Sequence, residues 1–282
     1  MTKAFVVGHP IKHSRSPLIH GYWLDRYGLD GSYERIDVAP VNFGDFLKSV
    51  RSQGFAGGNV TIPHKEMAFL SVERRTAQAE RVGAVNTLWF EGGLLWGDNT
   101  DVTGFMAHLD ASLGTGWERD VETALVLGAG GAARAVVAGL QNRPCKRIFV
   151  ANRTLSKAED LVRDLRPASP VGLETSAWEA LGRVLPHAQL IVNTTSLGMA
   201  GQPPLALDLA KAPRNAAVAD IVYVPLETPL LAAAAAHNLR TVDGLGMLLH
   251  QAVPGFRRWF GVTPEVTPEL RALILADIEA RT

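Results

Sequence analysis

The 282 residues are 47% hydrophobic and 20% charged, which supplies enough apolar surface for buried cores and argues against a disordered or fibrous chain. Lys plus Arg and Asp plus Glu each number 28, so no net field draws the chain toward nucleic acid or an anionic membrane. The single cysteine, Cys145, excludes an intrachain disulfide and cysteine-built zinc or redox motifs, and it fits a reducing compartment.

At roughly 150 residues per domain, the length suggests two domains. The first apolar run, residues 4–7, ends at Gly8, His9 and Pro10, too short for a signal-peptide core, and no later run nears the roughly 20 residues of a membrane span. A cytoplasmic chain with neither membrane nor nucleic-acid partners is expected. Strand-like runs at 4–7, 33–38 and 59–62 alternate with helical patterns at 18–27 and 43–53, which reads as an α/β domain. Residues 86–91 and 94–96 flank Gly92-Gly93, a hairpin turn expected to close that sheet. A helical pattern follows from Asp101 to about 113. Past the glycines at 114 and 116, strands are expected at 123–127, 147–151, 190–193, 217–221 and 240–242, with one more inside 171–178. Helices are expected at 132–140, 156–165 and 229–237. Such alternation with nearly continuous apolar strands predicts a doubly wound, Rossmann-type parallel sheet. Two final helical patterns, 247–260 and 268–280, are expected to return to the first domain.

Gly128-Ala129-Gly130-Gly131-Ala132-Ala133 follows an apolar strand and opens a helix, the context in which G-x-G-x-x-A binds a dinucleotide. Gly128 would make the tight turn, Gly130 would let the backbone approach a pyrophosphate, and Ala133 would allow close helix packing. An ordinary glycine turn is the plainer alternative. The next strand ends Asn152-Arg153-Thr154 without the acid that holds an NAD ribose, and Lys157 adds charge. A guanidinium there suits a 2′-phosphate, so NADP is favoured over NAD.

Asn59, Thr61 and Lys65 cluster around a proline-fixed turn, and Gly97-Asp98-Asn99-Thr100-Asp101 forms a second polar cluster near the domain junction. Each is either part of a substrate cleft or solvated turn structure. Ser14 and Ser16 precede a helix, where one could cap it or bind an anion. The eight histidines include no H-E-x-x-H, so no metal is expected, and no G-x-S-x-G elbow marks a hydrolase. Cys145 reads as a small packing residue.

Taken in order, these motifs resemble the shikimate/quinate dehydrogenase family over nearly the whole chain. Ser14-Arg15-Ser16 is similar to its carboxylate-binding S-x-S, Asn59 to Lys65 to its N-V-T-x-P-x-K, and Gly83-Ala84-Val85-Asn86-Thr87 to its G-A-V-N-T. Gly97 to Asp101 resembles G-x-N-T-D, and the phosphate loop and Asn152-Arg153-Thr154 also match. Further resemblance lies in Asn193-Thr194-Thr195-Ser196, Asp220-Ile221-Val222-Tyr223, and Asp243 to Leu248 with Gln251.

The resemblance implies that Lys65 and Asp101 are catalytic and that Ser14, Ser16, Asn59, Thr61, Asn86, Tyr223 and Gln251 contact substrate. It implies cofactor contacts from 128–133, Asn152, Arg153, Thr154, Lys157, Thr194, Ile221, Gly244 and Met247. A split substrate domain, 1–102 plus 243–282, would be joined to an NADP domain, 103–242, with a mobile cleft, in a monomer or homodimer. The implied reaction reduces 3-dehydroshikimate to shikimate with NADPH, in chorismate and aromatic amino-acid biosynthesis. Pairing with a carboxylate favours the charged form of a lysine, so Lys65 is expected to act as an ammonium that polarises the carbonyl and donates the proton, with Asp101 orienting it. The rivals are a quinate or aminoshikimate dehydrogenase and, more distantly, a non-catalytic NADP-binding regulator.

Overall fold

The computed structural model describes residues 1–166 and 170–280. They form two compact units, Met1–Gly104 with Leu249–Thr282, and Phe105–Leu248. Each division falls a little later than the sequence suggests, because it lies inside a helix, Thr100–Leu113 or Leu245–His250. Helical periodicity carries no mark of where a helix changes the core it serves.

In the first unit the strands are β1 (Thr2–Gly8), β2 (Gly31–Asp37), β3 (Phe55–Val60), β4 (Arg74–Arg75), β5 (Thr87–Glu91) and β6 (Leu94–Asp98). They form one sheet in the order β2-β1-β3-β5-β6-β4. β1 runs parallel to both β2 and β3, whereas β5 is antiparallel to β3 and β6, so the sheet is mixed. Gly92 and Gly93 turn the β5-β6 hairpin with φ of 59° and 84°, the positive pair that a two-residue turn needs. The hairpin does not close the sheet as expected, because β4 adds beyond it, parallel to β6; two arginines leave no strand periodicity to read. β3 also begins earlier and ends sooner than the expected 59–62. Gly57 and Gly58 belong to it, and a Cβ on Gly58 would strike the Phe5 ring, so close packing selects residues that composition counts against a strand.

The helix Ser16–Tyr27 has Arg15 at its N-cap and no side-chain cap. Neither serine caps it, because it starts at Ser16 itself; the Ser14 hydroxyl instead accepts from Ser16 N at 3.4 Å. The helical pattern expected at 43–53 ends as a helix at Ser49. That expected at 247–260 is two helices, Leu245–His250 and Ala252–Phe260. Pro254 explains the break, since it has no N–H for the His250 carbonyl and its ring crowds that turn. The second of these helices and Pro268–Glu279 pack on the first unit: Trp259 Nε1 donates to Leu88 O at 2.8 Å, and Arg15 Nε to Asp277 Oδ2 at 3.1 Å.

The second unit holds β7 (Thr123–Leu127), β8 (Arg147–Asn152), β9 (Gly172–Ala177), β10 (Leu190–Asn193), β11 (Ala217–Asp220) and β12 (Arg240–Val242). All are parallel, in the order β12-β11-β10-β7-β8-β9. This is the doubly wound order, with its reversal between β7 and β10, where such sheets take their ligands. One apolar layer gathers Leu140, Val150 and Leu161 on one face and another gathers Leu127, Ile191 and Leu230 on the other, which is why the strands read as continuous apolar runs. Among the described residues no helix is long and apolar enough to cross a membrane.

Candidate functional site

The first unit gathers its polar residues beyond the carboxyl ends of β1 and β3. Thr61 leaves β3 with its amide bonded to Val7 O at 2.9 Å. Its methyl occupies the space that a Cβ on Gly8 would need, so the glycine permits this close approach. Lys65 opens the next helix, Lys65–Ser71, and His64 before it is buried with its ring stacked on Phe43 at 4.3 Å and Nε2 2.7 Å from Val38 O. These contacts anchor the turn, and burial holds the His64 imidazole below its ordinary value.

Lys65 Nζ donates to Asp101 Oδ2 at 2.6 Å, and Asn86 Nδ2 donates to Asp101 Oδ1 at 2.9 Å. The lysine and aspartate side chains are 28% and 13% exposed, so a substrate oxygen can reach an ammonium already desolvated in part. Asp101 stands in the first turn of the helix Thr100–Leu113, where the helix dipole favours a carboxylate. An ammonium has three donors; Asp101 takes one, leaving the others for substrate.

The Asn86 amide has a defined orientation. Its Oδ1 accepts from Thr100 N at 2.8 Å and from the Thr87 and Thr100 hydroxyls, so Nδ2 must face Asp101 and keeps one N–H for a ligand. Asn59 is fixed in the opposite sense. Its Nδ2 donates to Asn86 O and Thr87 Oγ1, both at 3.1 Å, while Oδ1 accepts from the Tyr33 hydroxyl at 2.6 Å. Asn59 can therefore meet a ligand only as an acceptor, and Asn86 only as a donor.

Ser14 lies on the loop after β1 and Ser16 opens the helix that follows; the loop is tied down by Arg35 Nε donating to Ser14 O at 2.8 Å and by Ile11 N donating to Asp37 Oδ2 at 3.1 Å. The His9 hydrogen bond holds the Asp37 carboxyl below its usual range. Ser16 is buried beside Tyr33. Gln251 packs on the Asp101 helix: a Cβ on Gly104 would collide with it, and Gly104 shares a face with Asp101 at i and i+3. Sequence reading missed Tyr33, and it placed Thr87 and Thr100 inside motifs without giving either a role. Tyr33 sits on an edge strand like any β-forming aromatic, and only the fold points its hydroxyl at Asn59.

In the second unit, Gly128 has φ of 112°, and a Cβ there would meet Thr194 Oγ1. Thr194 in turn donates through its hydroxyl to Leu127 O at 2.7 Å, knitting the β7 and β10 ends. Gly130 is the N-cap of the helix Gly131–Leu140 and has open space around it, whereas Ala133 is fully buried. This loop, Asn152, Arg153, Thr194 and Ser196 line a cavity of about 150 Å³. Thr154 caps the following helix through its backbone position and Lys157 stands exposed one turn along. Arg153 is exposed, and among the described residues no hydrogen bond or ion pair engages it. Trp178, just past β9, also lines the cavity and had no sequence signal beyond being aromatic.

Ile221 follows β11 with its amide on Asn193 O at 3.1 Å, and Gly244 lies so close to the Ile221 carbonyl that no Cβ fits. Met247 packs against the core and Tyr223 is half-buried; both belong to this unit rather than to the one carrying Lys65. One buried carboxylate, Asp220, accepts from Asn193 Nδ2 at 2.9 Å, Val222 N at 3.0 Å and Thr228 Oγ1 at 2.7 Å, fixing the loops after β10 and β11. Burial pushes its titration up from the ordinary aspartate value.

Three family models match the chain: the shikimate dehydrogenase substrate binding domain over residues 6–88, shikimate / quinate 5-dehydrogenase over 116–216, and the shikimate 5′-dehydrogenase C-terminal domain over 244–273. A shikimate dehydrogenase (NADP(+)) of Methylobacterium radiotolerans is 61% identical over 98% of this chain and 97% of its own length. The Thermus thermophilus shikimate 5-dehydrogenase, solved with NADP(H) and shikimate, is 34% identical, covers 100% of both chains and superposes with a TM-score of 0.83. The quinate dehydrogenase of Corynebacterium glutamicum, solved with NAD, is 29% identical over 98% of this chain and 99% of its own, with a TM-score of 0.88.

Proposed function

The chain belongs to the shikimate dehydrogenase family, and from that premise we propose that it catalyses the reversible, NADPH-dependent reduction of 3-dehydroshikimate to shikimate in chorismate and aromatic amino-acid biosynthesis. The observation that carries this reading is the Lys65, Asp101 and Asn86 constellation: an ammonium, an acceptor and a donor set side by side suit a ketone flanked by hydroxyls. The first unit is the substrate domain and the second the NADP domain.

The residues of the second unit fit the nucleotide. The Gly130 backbone is open for a pyrophosphate at a helix N-terminus, and Arg153 offers an unspent cation for a 2′-phosphate, with Asn152, Thr154 and Lys157 beside it. The bound cofactor supplies the hydride. Lys65 would hold its proton toward the carbonyl oxygen, stabilise the alkoxide that develops there and release the proton to it. Asp101 would keep the ammonium aimed and accept from a neighbouring hydroxyl, and Asn86 would donate its remaining N–H. Ser14 and Ser16 would take the carboxylate, with Thr61, Gln251 and Tyr223 completing the substrate contacts. A panel of shikimate, quinate and aminoshikimate with NADP+ and NAD+, run in both directions, tests the assignment; no turnover of shikimate would overturn it.

Two outcomes follow for specificity. Arg153→Ala should raise the NADPH KM by about 30-fold, as a charge-assisted contact worth roughly 2 to 3 kcal/mol implies, and leave NADH kinetics nearly unchanged; equal effects on both cofactors would refute the 2′-phosphate role. Shikimate should exceed quinate in kcat/KM by at least about tenfold, because the added hydroxyl and puckered ring of quinate require desolvation without a partner, costing about 1 to 3 kcal/mol. Comparable values would favour a quinate dehydrogenase.

A further inference from the structure

We propose that Tyr33 is a positioning residue of the substrate site, an inference that rests on the dehydrogenase reading above: its hydroxyl sets the Asn59 amide in the one orientation that presents an acceptor to a substrate hydroxyl. An amide can turn over and exchange oxygen for nitrogen at little cost unless its partners forbid it. Asn59 has partners of both kinds. Asn86 O, at 3.1 Å from Nδ2, is a carbonyl and can only accept. Thr87 Oγ1, also at 3.1 Å, lies 2.9 Å from Asn86 Oδ1 and gives its own proton there, so it too accepts from Asn59. Tyr33, at 2.6 Å from Oδ1, must then be the donor. Removing the phenolic oxygen takes from the buried Asn59 Oδ1 the 2.6 Å donor that orients it.

The ring that carries this hydroxyl is itself fixed. Tyr33 stacks on His20 with centroids 4.0 Å apart and planes 13° apart, and Trp259 flanks it at 5.8 Å. Among the described residues neither buried nitrogen of His20 has a hydrogen-bond partner of normal geometry, so His20 serves Tyr33 as a flat wall. From Asn59 the chain of contacts runs through Asn86 to Asp101 and Lys65. Tyr33 touches none of the reacting atoms and acts on them through Asn59.

The test is a double-mutant cycle in shikimate oxidation by NADP+, with Tyr33→Phe, Asn59→Ala and the pair. Phenylalanine keeps the stack on His20 and removes only the oxygen. Tyr33→Phe should raise the shikimate KM about tenfold and leave the NADP+ KM within about twofold, a split that general destabilisation does not produce. In the Asn59→Ala background the same change should have no further effect. An unchanged shikimate KM in Tyr33→Phe, or an undiminished effect when Asn59 is absent, would overturn the inference while leaving the dehydrogenase reading intact. A wild-type enzyme that does not oxidise shikimate would overturn the dehydrogenase reading, and this inference with it.

Discussion

Lys65→Ala is expected to lower turnover by about two to three orders of magnitude while the shikimate KM changes by no more than a few-fold. The reasoning turns on when charge appears. A ketone and the bound alcohol are neutral, so the ammonium gains little from either, whereas the transition state carries alkoxide character directly before it. One preorganised donor aimed at such an oxygen is worth about 100 to 1,000-fold in turnover, and an interaction made only in the transition state is read in kcat rather than KM. The partial burial of the Lys65 and Asp101 pair strengthens that interaction relative to water. Asp101→Asn should lower kcat similarly: the amide carries no charge to aim the ammonium, and its N–H groups would face either Lys65 or Asn86, both donors. Steady-state kinetics in each direction decide the matter, and near-normal kcat with only weaker binding in Lys65→Ala would remove Lys65 from the chemistry.

The second unit was legible because its signals are local. A glycine loop between strand and helix is contiguous in sequence, and the central strands Thr123–Leu127, Leu190–Asn193 and Ala217–Asp220 are short, fully buried runs, whereas the edge strands Gly172–Ala177 and Arg240–Val242 are more polar. The first unit was harder. Its sheet relies on Gly57 and Gly58, which propensity counts against a strand, and on the two-residue strand Arg74–Arg75; both exist because distant residues pack or pair there. The same holds for the site. Lys65 and Asp101 stand in separate motifs, and their motifs mark each as a candidate, but the hydrogen bond between them is a product of the tertiary fold. Tyr33 acts by fixing a neighbour and carries no pattern of its own, while Thr87 and Asp220 lie in motifs that do not say which neighbours they fix.

The largest expected effect on stability concerns His20. Its imidazole is fully buried among Tyr33, Trp23, Phe256 and Trp259, and burial pushes it from 6.5 down to about 3, with the neighbouring Asn59 side chain acting the other way. Above pH 6.5 the ring is neutral in both folded and unfolded chains, and pH has no leverage through it. As pH falls below that point the unfolded chain takes up a proton that the folded chain refuses until about pH 3. Stability conferred by the neutral ring is therefore present above pH 6.5 and lost on acidification, by up to about 1.4 kcal/mol for each pH unit within that window. Asp220 has the opposite sign, since burial raises its carboxyl and the folded state binds that proton first. Comparing wild type with His20→Phe cancels the Asp220 contribution, while the phenyl ring keeps the stack on Tyr33. Urea denaturation at pH 7, 6 and 5 should show wild type losing about 1 to 2 kcal/mol more than the variant across that range. A gap between the two proteins that stays constant with pH would mean that His20 titrates alike in the folded and unfolded chains.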